Sequence, residues 1–314
     1  KVIFLDDYFS DKKILITGCN GFIGKNIIGM LSEKKCSIFG LDKDININDN
    51  TSLNFYQCDL LDKKKLEKII LKIKPNLVFN LDKIVTAERK YSLFNEMLDI
   101  HCKSMYNFYD FLKDKDYLDL FINFGSTEEY GDYNGVPFEE TFFEKSLSPY
   151  AVTKTAATRF AYMIGKNDGF PIITVRPSYL FGQFQKNSKF VSYVFSKLIK
   201  NQEIDLTPSE QTRDFIYVKR FVNILFDLIN SRNYNYGEIY NISSGKSITM
   251  KEFVKLAKKI ARSKSKINYG KLEYRKNEIM KFNVSNEKIE KVLKKNISIN
   301  LEEDLKNYLD ELIA

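Results

Sequence analysis

Through its first half the chain alternates short apolar runs with longer stretches of helical period. Residues 14–17 read as a strand, 22–33 as a helix, and 37–41 as a second strand ending at Asp42. A third strand is expected at 53–57, a helix at 63–73, and a strand at 77–81 bounded by Pro75-Asn76. One long helix over 93–113 leads to an apolar strand, 118–124, that stops at Gly125. A helix over 149–166 and a buried strand over 172–176 complete the series. Continuous apolar strands separated by helices imply a parallel sheet covered on both faces. The fold class is therefore α/β, a doubly wound parallel Rossmann-type sheet with a smaller, mostly helical C-terminal lobe. Beyond Arg176 the pattern loosens. Helices are expected over 186–200, 219–230, 250–262, 286–293 and 301–312, with short strands at 214–217 and 238–242. The expected division is an α/β domain over 1–178, to which 212–248 partly returns, interwoven with a C-terminal lobe over 179–314.

Glycine placement gives the alternation a chemical meaning. Gly18, Gly21 and Gly24 in T-G-C-N-G-F-I-G close the first strand and open the first helix. That arrangement permits a tight turn, close backbone approach to a pyrophosphate, and a helix N-terminus aimed at the phosphates. Asn20, Phe22 and Ile23 fill the rest of the turn and join the expected cofactor set. Asp42 ends the second strand where a carboxylate binds a ribose diol and repels a 2′-phosphate, so NAD is favoured. Lys43 beside it leaves NADP open.

Tyr150 and Lys154 in S-P-Y-A-V-T-K are four residues apart, on one face of a helix. An ammonium beside the phenol is expected to pull its pKa of about 10 towards neutrality and fit Tyr150 for proton transfer.

With the glycine turn and the Tyr/Lys pair together, the chain resembles the extended short-chain dehydrogenase/reductases that modify nucleotide sugars. Asp59-Leu60 is similar to the family's adenine contact, and F-G-S-T-E-E-Y-G resembles its strand-end motif Ser-Ser-x-x-Val-Tyr-Gly. The resemblance implies catalysis by Ser126, Tyr150 and Lys154, the last two also touching the cofactor. It implies substrate contacts at Thr127 and Glu128, and diphosphate contacts at Arg213 in R-D-F-I-Y-V and Arg275 in Y-R-K-N-E-I. The segments R-P-S-Y-L-F-G and Y-N-I-S-S-G-K-S-I-T-M also resemble the family's. Three departures stand out: Asp82-Lys83 where the family has small residues, His101 at a structural Asn, and Lys219-Arg220 at an acidic pair.

Sugar 4,6-dehydratases of the family carry an aspartic acid where this chain has Thr127, which cannot donate a proton near neutral pH. The resemblance therefore implies reduction of the C4 keto group of a nucleotide-linked 4-keto-6-deoxyhexose, as in abequose synthase-like 4-ketoreductases. The alternative is 4-epimerisation with tightly held NAD, which suits Asp42. A dehydratase, or an NAD-binding regulator without catalysis, fits less well.

Composition narrows the rest. The formal charge of +8 is spread along the chain with no dense basic cluster, so no nucleic-acid partner is expected. Cys19, Cys36, Cys58 and Cys102 have no metal-type spacing and read as reduced structural thiols of a cytoplasmic protein. A single histidine nearly excludes histidine-built metal sites and Ser-His-Asp hydrolysis. No metal is expected. No apolar run reaches membrane-spanning length, and the charged opening does not read as a signal peptide. The expected state is a homodimer.

Overall fold

Each expected strand of the first half forms, and the chain order of the strands is what creates a binding edge. The computed structural model describes residues 7–44, 53–81, 91–276 and 278–313. The elements run β1 (Lys13–Thr17), α1 (Phe22–Leu31), β2 (Ser37–Asp42), β3 (Asn54–Gln57), α2 (Lys63–Ile73) and β4 (Leu77–Asn80). Then come α3 (Phe94–Leu98), a π-helical turn (Asp99–Lys103), α4 (Ser104–Leu112), β5 (Leu120–Phe124), α5 (Pro149–Asn167) and β6 (Ile172–Pro177). The rest comprises β7 (Tyr179–Phe181), α6 (Phe190–Ile199), β8 (Ile204–Asp205), β9 (Thr212–Tyr217), α7 (Val218–Ser231) and β10 (Ile239–Ile242). It ends with β11 (Ser247–Thr249), α8 (Met250–Ile260), β12 (Ile267–Asn268), α9 (Glu287–Leu293) and α10 (Leu301–Ile313).

The chain divides into two compact units. The first comprises Lys1–Glu129, Ser146–Arg176 and Phe226–Tyr240; the second comprises Tyr130–Lys145, Pro177–Leu225 and Asn241–Ala314. The large sheet has seven strands in the order β10-β6-β5-β4-β1-β2-β3. From β3 to β6 every pairing is parallel. The register sets Thr17 beside Leu41 and Asn80, and Asn80 beside Asn123. The C-terminal ends of β1, β2, β4 and β5 therefore share one edge. The order reverses between β1 and β4, and a crevice outside such a reversal is where open α/β sheets bind ligands.

The core of the first unit explains why these segments are strands and helices. Leu15, Val78, Phe121 and Ile172 from the sheet pack with Leu66 and Ile70 of α2, Phe108 and Leu112 of α4, and Ala157 and Ala161 of α5. Helix starts are set by local chemistry. Asp62 caps α2 by accepting from the Lys65 N–H, and Ser148 caps α5 through the Ala151 N–H, with Pro149 in the first turn. The expected single helix over 93–113 is not continuous, because the π turn interrupts it. There the Ser104 hydroxyl bonds back to the Ile100 carbonyl at 2.5 Å, and His101 Nδ1 lies 2.9 Å from Thr153 Oγ1 on α5.

In the second unit β9 lies between β7, parallel to it, and β11, antiparallel to it. Thr249 and Glu252 form a reciprocal capping box that starts α8. Tyr130, Phe138, Phe282 and Val284 make a separate aromatic core. Lys219 and Arg220, the residues that replace an acidic pair, face α10: Lys219 pairs with Glu311 at 2.6 Å and Arg220 with Asp304 at 2.9 Å. The charge reversal at 219–220 is thus matched by acids on α10.

Candidate active site

At the end of β1 the backbone turns through Gly18, whose φ of +59° is a left-handed conformation that suits glycine. The Gly21 N–H closes the turn on the Gly18 carbonyl at 2.9 Å. A Cβ on Gly24 would lie 2.6 Å from that carbonyl oxygen and 2.9 Å from Cys19 Cα, so only glycine lets α1 approach the turn. Helix α1 has no side-chain cap and no acidic residue in its first turn. Its first N–H groups and its dipole therefore remain available to an anion.

Asp42 braces this turn: one carboxylate oxygen accepts the Asn20 N–H at 3.0 Å, the other the Asp44 N–H at 3.3 Å. Asn20 in turn donates its side-chain amide to the Asp44 carbonyl at 2.6 Å. Lys43 pairs with Asp59 at 3.3 Å. Leu60 is buried, and its carbonyl accepts from the Asn107 side chain. Phe22 and Ile23, half-buried, form the first turn of α1. The glycine turn, the open helix start and the carboxylate at the end of β2 fit a dinucleotide. Asp82 and Lys83 lie outside the described residues.

Next along the same sheet edge, β5 delivers Ser126 beside α5. Tyr150 and Lys154 are both buried, one helical turn apart. The Ser126 hydroxyl acts on the Tyr150 phenol, favouring its ionised form. The Lys154 ammonium donates to the Phe124 carbonyl, the last of β5, at 2.7 Å. The His101 ring meets Tyr150 edge-on, with centroids 5.7 Å apart. The expected lowering of the Tyr150 pKa does not occur. Burial is the leading influence and pushes the phenol well above its ordinary value; the Glu128 carboxylate adds to this, and the Ser126 hydroxyl opposes it. Desolvation of the buried phenol outweighs the lowering expected from the Lys154 ammonium.

One buried acid escaped the sequence reading. Glu129 is fully buried, and so is its partner Arg176, which reaches a single Glu129 oxygen through Nη2 at 2.6 Å and Nε at 3.1 Å. The other Glu129 oxygen accepts the Ser126 N–H at 2.7 Å. Of the two adjacent glutamates only Glu128, an expected substrate contact, is exposed. Thr127, between Ser126 and Glu128, is buried.

The remaining expected residues belong to the second unit. Arg213 is buried on β9, donates to the Thr212 and Ile279 carbonyls at 2.7 Å, and is ion-paired with Glu278. Its guanidinium lies 5.3 Å from the Tyr179 ring centre and 5.7 Å from that of Phe282. Arg275 is exposed, and its carbonyl accepts the Glu278 N–H at 3.1 Å. Glu278 thus contacts both expected diphosphate arginines, Arg275 through its N–H and Arg213 through its carboxylate. Beside Arg213, Asp214 is buried and accepts from Ser178, Ser244 and Gly245; burial pushes its carboxyl up to about 6.

Residues 14–243 match the model of the NAD dependent epimerase/dehydratase family. The chain belongs to that family. Its cofactor is therefore a nicotinamide dinucleotide, whose pyrophosphate the glycine turn fits. Among curated members the chain is 27% identical over 282 residues to CDP-abequose synthase of Salmonella muenchen, covering 86% of this chain and 88% of that one. It is 26% identical over 254 residues to a putative UDP-glucose 4-epimerase of Methanocaldococcus jannaschii, covering 78% and 81%. The crystal structure of the UDP-glucose 4-epimerase from Thermotoga maritima superposes with a TM-score of 0.87 at 22% identity, covering 96% of this chain and 98% of that one, a likeness of fold. Among the described residues no cluster of three His, Cys, Asp or Glu side chains could hold a metal, and no helix is long and apolar enough to cross a membrane. The four cysteines are free, and burial pushes the Cys58 thiol up to about 11.

Proposed function

We propose that this enzyme reduces the C4 keto group of a nucleotide-linked deoxyhexose, in the manner its likeness to CDP-abequose synthases suggests. The observation that carries this reading is the placement of Tyr150, buried on α5 one helical turn from the equally buried Lys154, at the β5 end that bears Ser126. Burial pushes the pKa of this phenol upward, so it carries its proton. Carbonyl reduction needs a proton at oxygen as hydride reaches carbon, and a phenol kept neutral is ready to give one. When bound, the nicotinamide supplies the hydride. Ser126 donates to the C4 oxygen and holds it against Tyr150. Lys154, bonded to the Phe124 carbonyl, keeps the Tyr150 turn of α5 against β5. Gly18, Asn20, Gly21, Phe22, Ile23 and Gly24 take the pyrophosphate side of the cofactor, Asp42 its ribose, and Asp59 and Leu60 its adenine. Thr127 and Glu128 line the sugar, and Arg213 and Arg275 attract its diphosphate. Thr127 offers no acid for eliminating a hydroxyl, which disfavours dehydration.

A second reading, 4-epimerisation, is favoured by Asp42: a carboxylate that selects NAD suits an enzyme that oxidises and re-reduces within one turnover.

The test runs the reaction in reverse. CDP-abequose with NAD or NADP should yield reduced nicotinamide, while UDP-glucose should not be converted to its 4-epimer. Tyr150→Phe should lower turnover by about 10²–10⁴ and leave the dinucleotide dissociation constant unchanged. Epimerised UDP-glucose without net reduced cofactor would establish the second reading. Near-wild-type turnover in Tyr150→Phe would remove the assignment altogether.

A further inference from the structure

We propose that Glu129, anchored by Arg176 and admitted by the missing side chain of Gly125, is a positioning residue for Ser126. This rests on the reading of Ser126 as the hydroxyl that binds the C4 oxygen.

The geometry is unusually complete for a buried acid. Glu129 holds both backbone polar groups of Ser126: its side chain accepts the Ser126 N–H at 2.7 Å, and its own N–H donates to the Ser126 carbonyl at 3.1 Å. The Ser126 hydroxyl then meets two further groups. It accepts the Glu128 N–H at 3.2 Å, and it faces the Tyr150 phenol, whose ionised form it favours. Charge-assisted bonds to a backbone N–H are short and strong, so this carboxylate restrains the turn more tightly than a neutral side chain would.

Gly125 and Glu129 are also the two fixed positions at which G-S-T-E-E-Y-G departs from Ser-Ser-x-x-Val-Tyr-Gly, and the departures are in contact. A Cβ on Gly125 would sit 2.6 Å from Glu129 Oε1 and 3.1 Å from Arg176 Cγ. The glycine makes the space, the glutamate fills it, and Arg176 neutralises it. An apolar side chain would hold the two strand ends together at lower desolvation cost, and a buried ion pair is weak evidence for added stability. What the pair adds, and an apolar residue cannot, is a directed acceptor for the Ser126 N–H.

Glu129→Gln and Gly125→Ala test this in the full chain. Gly125→Ala leaves both charges in place and presses chiefly on Glu129 Oε1 at 2.6 Å, with lesser contacts to Arg176 Cγ and Thr174 Cγ2 at 3.1 Å. In each variant, peptide-level amide exchange should rise at least about tenfold at 125–130 and stay unchanged in β1 and β4. With CDP-abequose and NAD or NADP, kcat should fall about tenfold or more, while KM and the NAD dissociation constant stay within about twofold. Combining either change with Ser126→Ala should give an enzyme no slower than Ser126→Ala alone, because both act through one hydroxyl. Multiplied losses in the double variants, exchange that rises evenly through the first unit, or failure of both variants to fold would each overturn the inference and make the pair purely structural. Wild-type rates in Ser126→Ala would instead remove the role given to Ser126, and local exchange would still judge the Glu129 link on its own.

Discussion

Two strands of one sheet end in a glycine, and the two ends are used in opposite ways. After β1, the glycines bring α1 against the backbone turn and leave its N-terminus uncapped and free of acidic side chains. After β5, the space that Gly125 leaves is taken by the chain's own Glu129 carboxylate, neutralised by Arg176. One glycine turn is kept open for a ligand's charge; the other is filled by an internal charge. A glycine at a strand end therefore does not by itself announce a phosphate site. The deciding observation is what lies within reach of its absent Cβ.

The strongest way to break the filled turn is to remove its cation. Arg176→Leu leaves the Glu129 carboxylate buried and unpaired, and should cost about 3–5 kcal/mol of stability. A urea titration followed through the first unit's tyrosines measures this. Arg176→Leu/Glu129→Leu should recover most of the loss, since the apolar pair strands no charge. If the double variant is no more stable than Arg176→Leu alone, the pair is not an isolated unit of electrostatics.

The open turn should fail differently. In Gly24→Ala the new methyl meets backbone atoms, Gly18 O at 2.6 Å and Cys19 Cα at 2.9 Å, which have no flexible end to yield. The helix must back away, and NAD binding should weaken by about 2 kcal/mol, roughly thirtyfold. Calorimetric titration with NADH checks it. Unchanged affinity would mean that α1 does not need its close approach for binding.

Asp42 sharpens the same comparison through charge. Asp42→Ala removes the carboxylate that would oppose a 2′-phosphate, so the ratio of NADPH to NADH dissociation constants should fall about tenfold. Both cofactors should also bind somewhat more weakly, because Asp42 braces Asn20. Lys43, 71% exposed and paired with Asp59 at 3.3 Å, is the nearby cation that acts against this repulsion. A wild-type preference for NADPH would reverse this reading of Asp42.

What was legible in the sequence follows from how local each signal is. Helix α2 ends where expected at both termini, because Asp62 caps it and Pro75 lies just past its end. The strand expected over 118–124 starts at Leu120, since the Asp119 and Leu120 N–H groups both turn to the Asn76 carbonyl. Strands β7, β8, β11 and β12 are two or three residues long and carry no period to read. The π turn hides within a pattern that any continuous helix would give. In the candidate site, the positions of Ser126, Tyr150 and Lys154 could be read from motif spacing. The direction of the Tyr150 shift could not, because it depends on tertiary burial. Glu129 went unread for the same reason: one glutamate of an adjacent pair is sealed in the core by an arginine far along the chain.

The smallest effect comes from a glycine that serves neither use. Gly29 lies within α1, exposed, and a Cβ built on it meets nothing within 4 Å. Its backbone φ is not in the left-handed range, so alanine fits without strain. Gly29→Ala should therefore stabilise the protein by about 0.5–1 kcal/mol, through reduced freedom of the unfolded chain and better helix propensity. NAD affinity should not change, because Gly29 sits two turns beyond the N–H groups that face the phosphates. A rise in melting temperature with unaltered NADH binding supports this; a fall would mean that the outer face of α1 is covered in the assembled protein. Set beside Gly24→Ala five residues earlier, the two substitutions separate a glycine that makes room for binding from one that only weakens its helix.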